Sequence, residues 1–218
     1  MAERIAVVDY GAGNLRSVAK ALEAAARNAN RAVQIDVTSC AATVRAADRI
    51  ILPGVGAFAQ CANALRAIPG MEAALVQSAI EVGRPFLGIC VGMQLLATRG
   101  VEHGVHQGLD WIPGEVVRLT PGDPQLKIPH IGWAPVRLSP SGTGHAVGST
   151  LGNMGQTYFV HSYRFVPADN RQLLATYDYG GAVAAIVGRD NILGVQFHPE
   201  KSQTVGLNFL QAFLEWAP

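Results

Sequence analysis

The stretch that decides the reading of this 218-residue chain is Pro85-Phe86-Leu87-Gly88-Ile89-Cys90-Val91-Gly92-Met93-Gln94. Its first part is a short apolar run of the kind a buried strand uses. From Val91 to Ala97 the apolar residues recur at helical spacing. A strand that turns sharply into a helix, with glycines two residues either side of a Cys, is the nucleophile-elbow pattern with sulfur in place of the serine oxygen. The glycines let neighbouring backbone pass close to the turn, where a Cβ would stand in the way. The turn lifts the thiol above the sheet, and the N-terminal N–H groups of the helix favour thiolate. Taken alone, the motif also fits a small apolar side chain in a core, since unreactive cysteines are commonly buried.

On the amino-terminal side the chain alternates strand and helix. Ile5–Val8 is a continuous apolar run, as expected of a strand buried on both faces. The loop Asp9-Tyr10-Gly11-Ala12-Gly13-Asn14 follows, with Asn14 placed to cap a helix carrying Leu15, Val18, Ala19, Leu22 and Ala26 at helical spacing. That loop lacks the full G-x-G-x-x-G and the P-loop Lys-Ser/Thr, so it reads as a tight turn exposing Asn14 and Arg16 rather than as a phosphate cradle. Strands are expected at Val33–Val37 and Asp48–Leu52, the latter ending in Pro53-Gly54-Val55-Gly56-Ala57-Phe58, and helices at Ala59–Ala67 and Met71–Val82. This alternation predicts an α/β fold of three layers, a mostly parallel central sheet flanked by helices, with its chemistry at the carboxyl ends of the strands.

On the carboxyl-terminal side the pattern changes to an additional antiparallel strand region. Short strands are expected in Gly114–Leu119, Lys127–Leu138, Thr157–Val160, Leu173–Tyr177, Ala182–Val187 and Ile192–Phe197, with Gly180-Gly181 as a hairpin turn. Ser139–Gly155, rich in small residues, reads as a flexible excursion. A helix around Val205–Trp216 closes the chain. With no internal repeat and no long linker, residues 1–218 are expected to form one domain.

Composition narrows the function classes. Seventeen Lys and Arg against sixteen Asp and Glu give a net charge of +1, with no basic stripe interleaved with aromatics, so no nucleic-acid partner is expected. Cys40, Cys61 and Cys90 are an odd number without metal-ligand spacing, and none of the histidines shows it either; no metal and no cofactor are expected. A reduced, cytoplasmic setting fits these cysteines. No signal peptide and no bilayer-length apolar run is legible, so no membrane association is expected.

A thiolate attacking a carbonyl needs a base, a group that orients the base, and donors for the oxyanion. The late run Gln196-Phe197-His198-Pro199-Glu200-Lys201 supplies the first two. Pro199 keeps His198 out of the helical region, and in an extended chain His198 and Glu200 share one side. The alternative is a surface His beside a surface Glu. Oxyanion donors are expected from the Val91 N–H and from an N–H of Gly54-Val55-Gly56, where flanking glycines permit a peptide to rotate. Gln94, one helical turn beyond Cys90, is placed to hold a polar substrate. His161 is an alternative base, ranked below His198 because no carboxylate follows it at alternate spacing.

At this point the residues resemble the class I (triad) glutamine amidotransferases and, more narrowly, the glutaminase subunits of imidazole glycerol phosphate synthase. The elbow and His198-Pro199-Glu200 carry the class. Asp9–Ser17, Leu52–Phe58, Pro129-His130-Ile131-Gly132-Trp133, Phe159–Tyr163 and the Lys201-Ser202 extension carry the subfamily. The resemblance implies that Cys90 attacks the side-chain amide of glutamine, that His198 protonates the departing ammonia and that Glu200 orients His198. Gly54, Gln94, Ser162 and Tyr163 would hold the substrate. Asn14, Arg16, Trp133 and Lys201 match interface positions toward a separate (β/α)8-barrel cyclase subunit, which uses the ammonia in histidine biosynthesis. Two positions depart from the family pattern: Ala134 stands where an Asn is usual, and the Ser139–Gly155 loop is unusually rich in small residues. Escaping ammonia would be protonated and lost as a nucleophile, so rotation of the Gly54–Val55 peptide is expected to gate the chemistry.

Rival readings are the glutaminase chain of another amidotransferase, a free-standing cysteine hydrolase of γ-glutamyl substrates, and a catalytically dead regulatory subunit. Met93 and Gly132-Trp133 disfavour the anthranilate synthase type, and the intact triad disfavours the dead subunit.

Overall fold

The computed structural model describes residues 2–147 and 155–218. The run Ile5–Val8 lies in strand β1 (Glu3–Val8), and each of these four residues is fully buried, so both faces of the strand are covered. Helix α1 (Leu15–Asn28) carries the chain to β2 (Val33–Thr38), α2 (Ala41–Ala46) to β3 (Arg49–Gly54), and α3 (Phe58–Ala67) with α4 (Met71–Leu75) to β4 (Phe86–Cys90) and α5 (Val91–Gln94). The second half runs through β5 (Arg99–Gly100), β6 (His106–Gln107), β7 (Gly114–Arg118), β8 (His130–Pro135), β9 (Arg137–Leu138) and α6 (Pro140–Thr143). It continues with β10 (Gln156–His161), β11 (Tyr163–Pro167), β12 (Leu173–Asp178), β13 (Ala182–Arg189), β14 (Ile192–Val195) and α7 (Gln203–Glu215).

Eight strands form one sheet in the order β2-β1-β3-β4-β14-β13-β12-β9. The first five run parallel; β13, β12 and β9 add an antiparallel flank. Because β1 to β2 steps one way along the sheet and β2 to β3 steps back, right-handed crossovers put α1 and α2 on opposite faces. Helix α7 packs on α1, while α2, α3, α4 and α5 make contacts among themselves on the other side. Two smaller sheets, β10-β8 and β11-β7-β5-β6, stand beside the main one. Among the described residues no helix is long and apolar enough to cross a membrane.

Several local expectations are corrected. The helix after Cys90 ends at Gln94, because the segment 109–112 folds back and takes its carbonyls: Leu109 N–H on Leu95 O (2.7 Å), Trp111 N–H on Leu96 O (3.0 Å) and Asp110 N–H on Ala97 O (3.1 Å). The helix expected over Met71–Val82 is α-helical only to Leu75; Val76–Glu81 widens into a π turn, with the Ser78 hydroxyl on Val44 O. Asn14 occupies the capping position of α1 without making a side-chain cap. Strands β5, β6 and β11 were not legible, and β10 pairs with β8 rather than with its sequence neighbour β11. The expected excursion begins as ordered structure: the Ser139 hydroxyl caps α6 at Gly142 N–H (3.0 Å), and Val147 is fully buried. The remainder of that reading, 148–154, lies outside the described residues.

Candidate active site

Cys90 closes β4 in a conformation that side chains rarely adopt, φ 56° and ψ −111°. Such a residue stores about 1–3 kcal/mol of strain, held in place by its surroundings. The surroundings are backbone. A Cβ on Gly92 would lie 1.8 Å from Leu52 O, and one on Gly54 would lie 2.5 Å from the Tyr10 hydroxyl and 2.7 Å from Gly92 N. Strand β3 and the start of α5 therefore touch peptide to peptide, with Gly54 in register with Cys90. The following helix is a single turn, so the field at the sulfur comes from a few peptide dipoles rather than from a long helix.

β14 lies on the other side of β4, with Val195 in register with Ile89, and delivers His198 three residues later. His198 is still extended, at φ −100° and ψ 100°, but the chain then turns at Pro199 into one 3-10 turn, Pro199–Lys201. The carboxylate arrives by that turn rather than by strand alternation: His198 Nδ1 meets Glu200 Oε1 at 2.8 Å, both side chains 2% exposed. His198 Nε2 and Glu200 Oε2 are buried without a hydrogen-bond partner. Burial by itself disfavours charge on His198, but Cys90 and Glu200 outweigh it and raise the imidazole to about 9. The direction of that shift favours an imidazolium beside the sulfur.

These groups open on a cavity of about 240 Å³, with Cys90, Val91, Gln94, Ser162, Tyr163 and His198 in its wall. Val55 and Gly56 stand at its rim, the Val55 side chain half exposed. Gly54 lies behind the wall, packed on Tyr10 and Gly92. The Val55 carbonyl accepts a long 3.7 Å bond from the Cys61 thiol, which burial pushes up to about 11. Val91 begins α5, where its N–H has no helical acceptor. His161 lines the cavity but is no base. Its Nδ1 is 2.8 Å from Tyr163 O, its Nε2 is 2.7 Å from the Tyr177 hydroxyl, and burial lowers it to about 4.

Asn14 and Arg16 are exposed at the start of α1. Trp133 is 41% exposed and packs edge-on against Tyr158, at 5.6 Å between ring centroids. The exposed Lys201 ammonium lies 5.6 Å from the Tyr158 ring centre. The unusual Ala134 is buried in β8, and its carbonyl takes the Thr157 hydroxyl at 3.4 Å. One residue of the site escaped sequence reasoning. Gln196, fully buried, places its amide nitrogen 3.7 Å from the Cys90 sulfur. The available signal was its position two residues before His198.

The family model "Glutamine amidotransferase class-I" matches residues 6–216 of the chain. The protein named imidazole glycerol phosphate synthase subunit HisH in Zymomonas mobilis is 56% identical over 214 residues, 98% of this chain and 96% of its own. Its namesake in Rhodospirillum rubrum is 54% identical, covering 99% of this chain and 100% of its own. Among solved structures, a glutamine amidotransferase superposes with a TM-score of 0.66 at 18% identity, covering 96% of this chain and 97% of that one. A glutamine amidotransferase from Thermotoga maritima gives 0.57 at 15% identity, covering 99% of this chain and 84% of that one. These two show the shared fold.

Proposed function

Because the chain belongs to the class-I glutamine amidotransferase family, alongside relatives named imidazole glycerol phosphate synthase subunit HisH, we propose that it is the glutaminase of such a synthase. In this reading residues 1–218 act as one amidotransferase domain, in the cytoplasm, feeding ammonia to a separate (β/α)8-barrel cyclase for histidine biosynthesis. The observation that carries it is the convergence of Cys90 and His198, from separate strands, on one cavity, with Glu200 hydrogen-bonded to His198 behind it.

The Cys90 sulfur attacks the glutamine side-chain carbonyl. The oxyanion forms against the Val91 N–H and, once its peptide turns inward, the Val55 N–H. The imidazolium of His198 holds the proton that the departing ammonia needs, and the same ring, now neutral, takes a proton from the water that attacks the thioester. Glu200 fixes the ring through Nδ1. Gln94 spends its N–H groups on Tyr163 O (3.1 Å) and Gln196 Oε1 (3.0 Å), so its own carbonyl is the atom left to meet the α-ammonium of glutamine. Ser162 and Tyr163 complete the substrate wall, and Gly54, packed on Tyr10 and Gly92, backs it. Asn14, Arg16, Trp133 and Lys201 face the cyclase.

The test mixes the chain with a cyclase subunit. Glutamine should support synthesis only with Cys90 intact, while an ammonium salt supports it regardless; glutamine-dependent synthesis by a Cys90→Ala chain would refute the reading. Glutamine hydrolysis by the lone chain as fast as by the liganded complex would exclude gating at Gly54–Val55.

A further inference from the structure

A chain of hydrogen bonds runs from β8 to the sulfur, and elementary donor–acceptor rules fix its direction. Its fixed point is a carbonyl in β11, which only accepts. Tyr163 O receives His161 Nδ1 at 2.8 Å and Gln94 Nε2 at 3.1 Å, which uses both its lone pairs. His161 must therefore carry its proton on Nδ1. Since burial keeps the ring neutral, its Nε2 is bare and takes the Tyr177 hydroxyl proton at 2.7 Å. The Tyr177 oxygen is then the acceptor left for His130 Nδ1, at 3.2 Å.

The other branch leads to the nucleophile. Which end of a glutamine amide is oxygen and which is nitrogen is ordinarily ambiguous, but here it is forced. Gln94 has to turn its NH2 toward the Tyr163 carbonyl, and the second proton of that NH2 meets Gln196 at 3.0 Å. Gln196 must answer with its carbonyl oxygen, which leaves its own NH2 facing Cys90 Sγ at 3.7 Å. Gln94, Gln196 and Tyr177 are each 4% exposed or less, so water does not compete for these bonds.

We propose that Gln196 is a further catalytic residue of this site, holding a fixed N–H on the Cys90 sulfur with its orientation dictated through Gln94 by the Tyr163 carbonyl. The inference rests on Cys90 being the nucleophile. In the first half of the reaction the S–C bond forms, C–N breaks, and the proton on His198 leaves with ammonia. In the second, water oxygen bonds to the thioester carbon, its proton passes to His198, and C–S breaks with the electron pair returning to sulfur. The Gln196 N–H meets the sulfur whenever it carries negative charge, before attack and again on departure. A donor there assists thioester hydrolysis as well as ionisation.

The titratable groups around the sulfur are His198, backed by Glu200, then Tyr10 and Cys61 beneath, with Glu102, His161, Tyr163 and Lys201 on the cavity wall. Gln196 is uncharged, so its loss should displace the Cys90 profile without adding an inflection. The experiment is the pH-rate profile of iodoacetamide alkylation in the full chain, resolved by site with peptide mass mapping. Gln196→Met should move the Cys90 midpoint up by about half to one pH unit, and Gln196→Glu, which keeps the acceptor for Gln94, should move it further. With the cyclase present, both variants should accumulate thioester in a pre-steady-state burst. A folded variant whose profile overlays that of the parent overturns the proposal. Should either variant fail to fold, the parent answers alone: the Gln196 side-chain amide signal of 15N-glutamine-labelled protein should shift when Cys90 is alkylated, and a stationary signal overturns the proposal. If Cys90 of the parent reacts no faster than exposed Cys40, it is the nucleophile assignment that falls; if it reacts fast yet ignores Gln196, only the present inference does.

Discussion

At the amino ends of β1 and β3 a buried cation has every partner it needs. Arg49, 6% exposed, gives Nε to Glu3 at 2.7 Å and one terminal nitrogen to the carbonyls of Phe213 (2.9 Å) and Trp216 (2.7 Å), which close the last helix against the sheet. At the carboxyl ends of the neighbouring strands the opposite holds. The Tyr10 hydroxyl, His198 Nε2 and Glu200 Oε2 are buried and unpaired, and Cys90 sits in a strained backbone conformation. Buried polar groups left unpaired cost stability, and a fold tolerates them where a reacting molecule supplies the missing partners. One end of the sheet is finished by the protein itself; at the other, unpaired groups gather around an open cavity, with His198 in its wall.

The largest expected effect breaks the carboxyl end alone. Cys90→Ala should lower glutamine-dependent synthesis by at least about 10³-fold, while thermal unfolding remains cooperative and ammonium-dependent synthesis persists. Next comes the amino end. Arg49→Met should cost about 2–4 kcal/mol in urea unfolding, because Glu3 and two carbonyls lose their donor, with turnover per folded molecule unchanged. A loss of chemistry without loss of stability in Arg49→Met would erase the contrast between the ends.

A smaller effect separates two histidines within the site. His198 is raised to about 9 from 6.5, so its contribution to stability is fully present below pH 6.5 and is lost as pH climbs through 9. His161 is lowered to about 4, so its contribution is present above pH 6.5 and is lost as pH falls through 4. Urea midpoints across pH 4–9.5 should show a shallower acid-side slope in His161→Gln and a shallower alkaline-side slope in His198→Gln. In Cys90→Ala the His198 value, followed by NMR, should fall, since the sulfur helps to hold its proton. Smallest is Trp133→Ala: an exposed change within about 0.5 kcal/mol of the parent in stability, read instead as weaker capture of the cyclase subunit.

What the sequence disclosed follows from how local each signal is. The elbow was legible because its strand, its turn and its glycines lie within a few consecutive residues, and His198 with Glu200 because Pro199 stands between them. The parallel sheet followed from alternating strand and helix patterns. The early end of the helix after Cys90 was not legible, since the segment that ends it lies 15 residues on and acts through backbone N–H groups that every residue carries. Strands β5 and β6 are two residues each, too short for any periodicity. The amide pair Gln94 and Gln196 was hidden for a related reason: 102 positions separate them, and only the pairing of β14 beside β4 brings them together.

The bare peptide contact between residues 54 and 92 has a consequence for anyone refashioning this scaffold toward other amides. No carbon can be added where those two chain segments cross without forcing them apart, so libraries that randomise Gly54 and Gly92 will mostly return misfolded molecules. Variety has room along the outer lip, where the Val55 side chain already stands half in solvent.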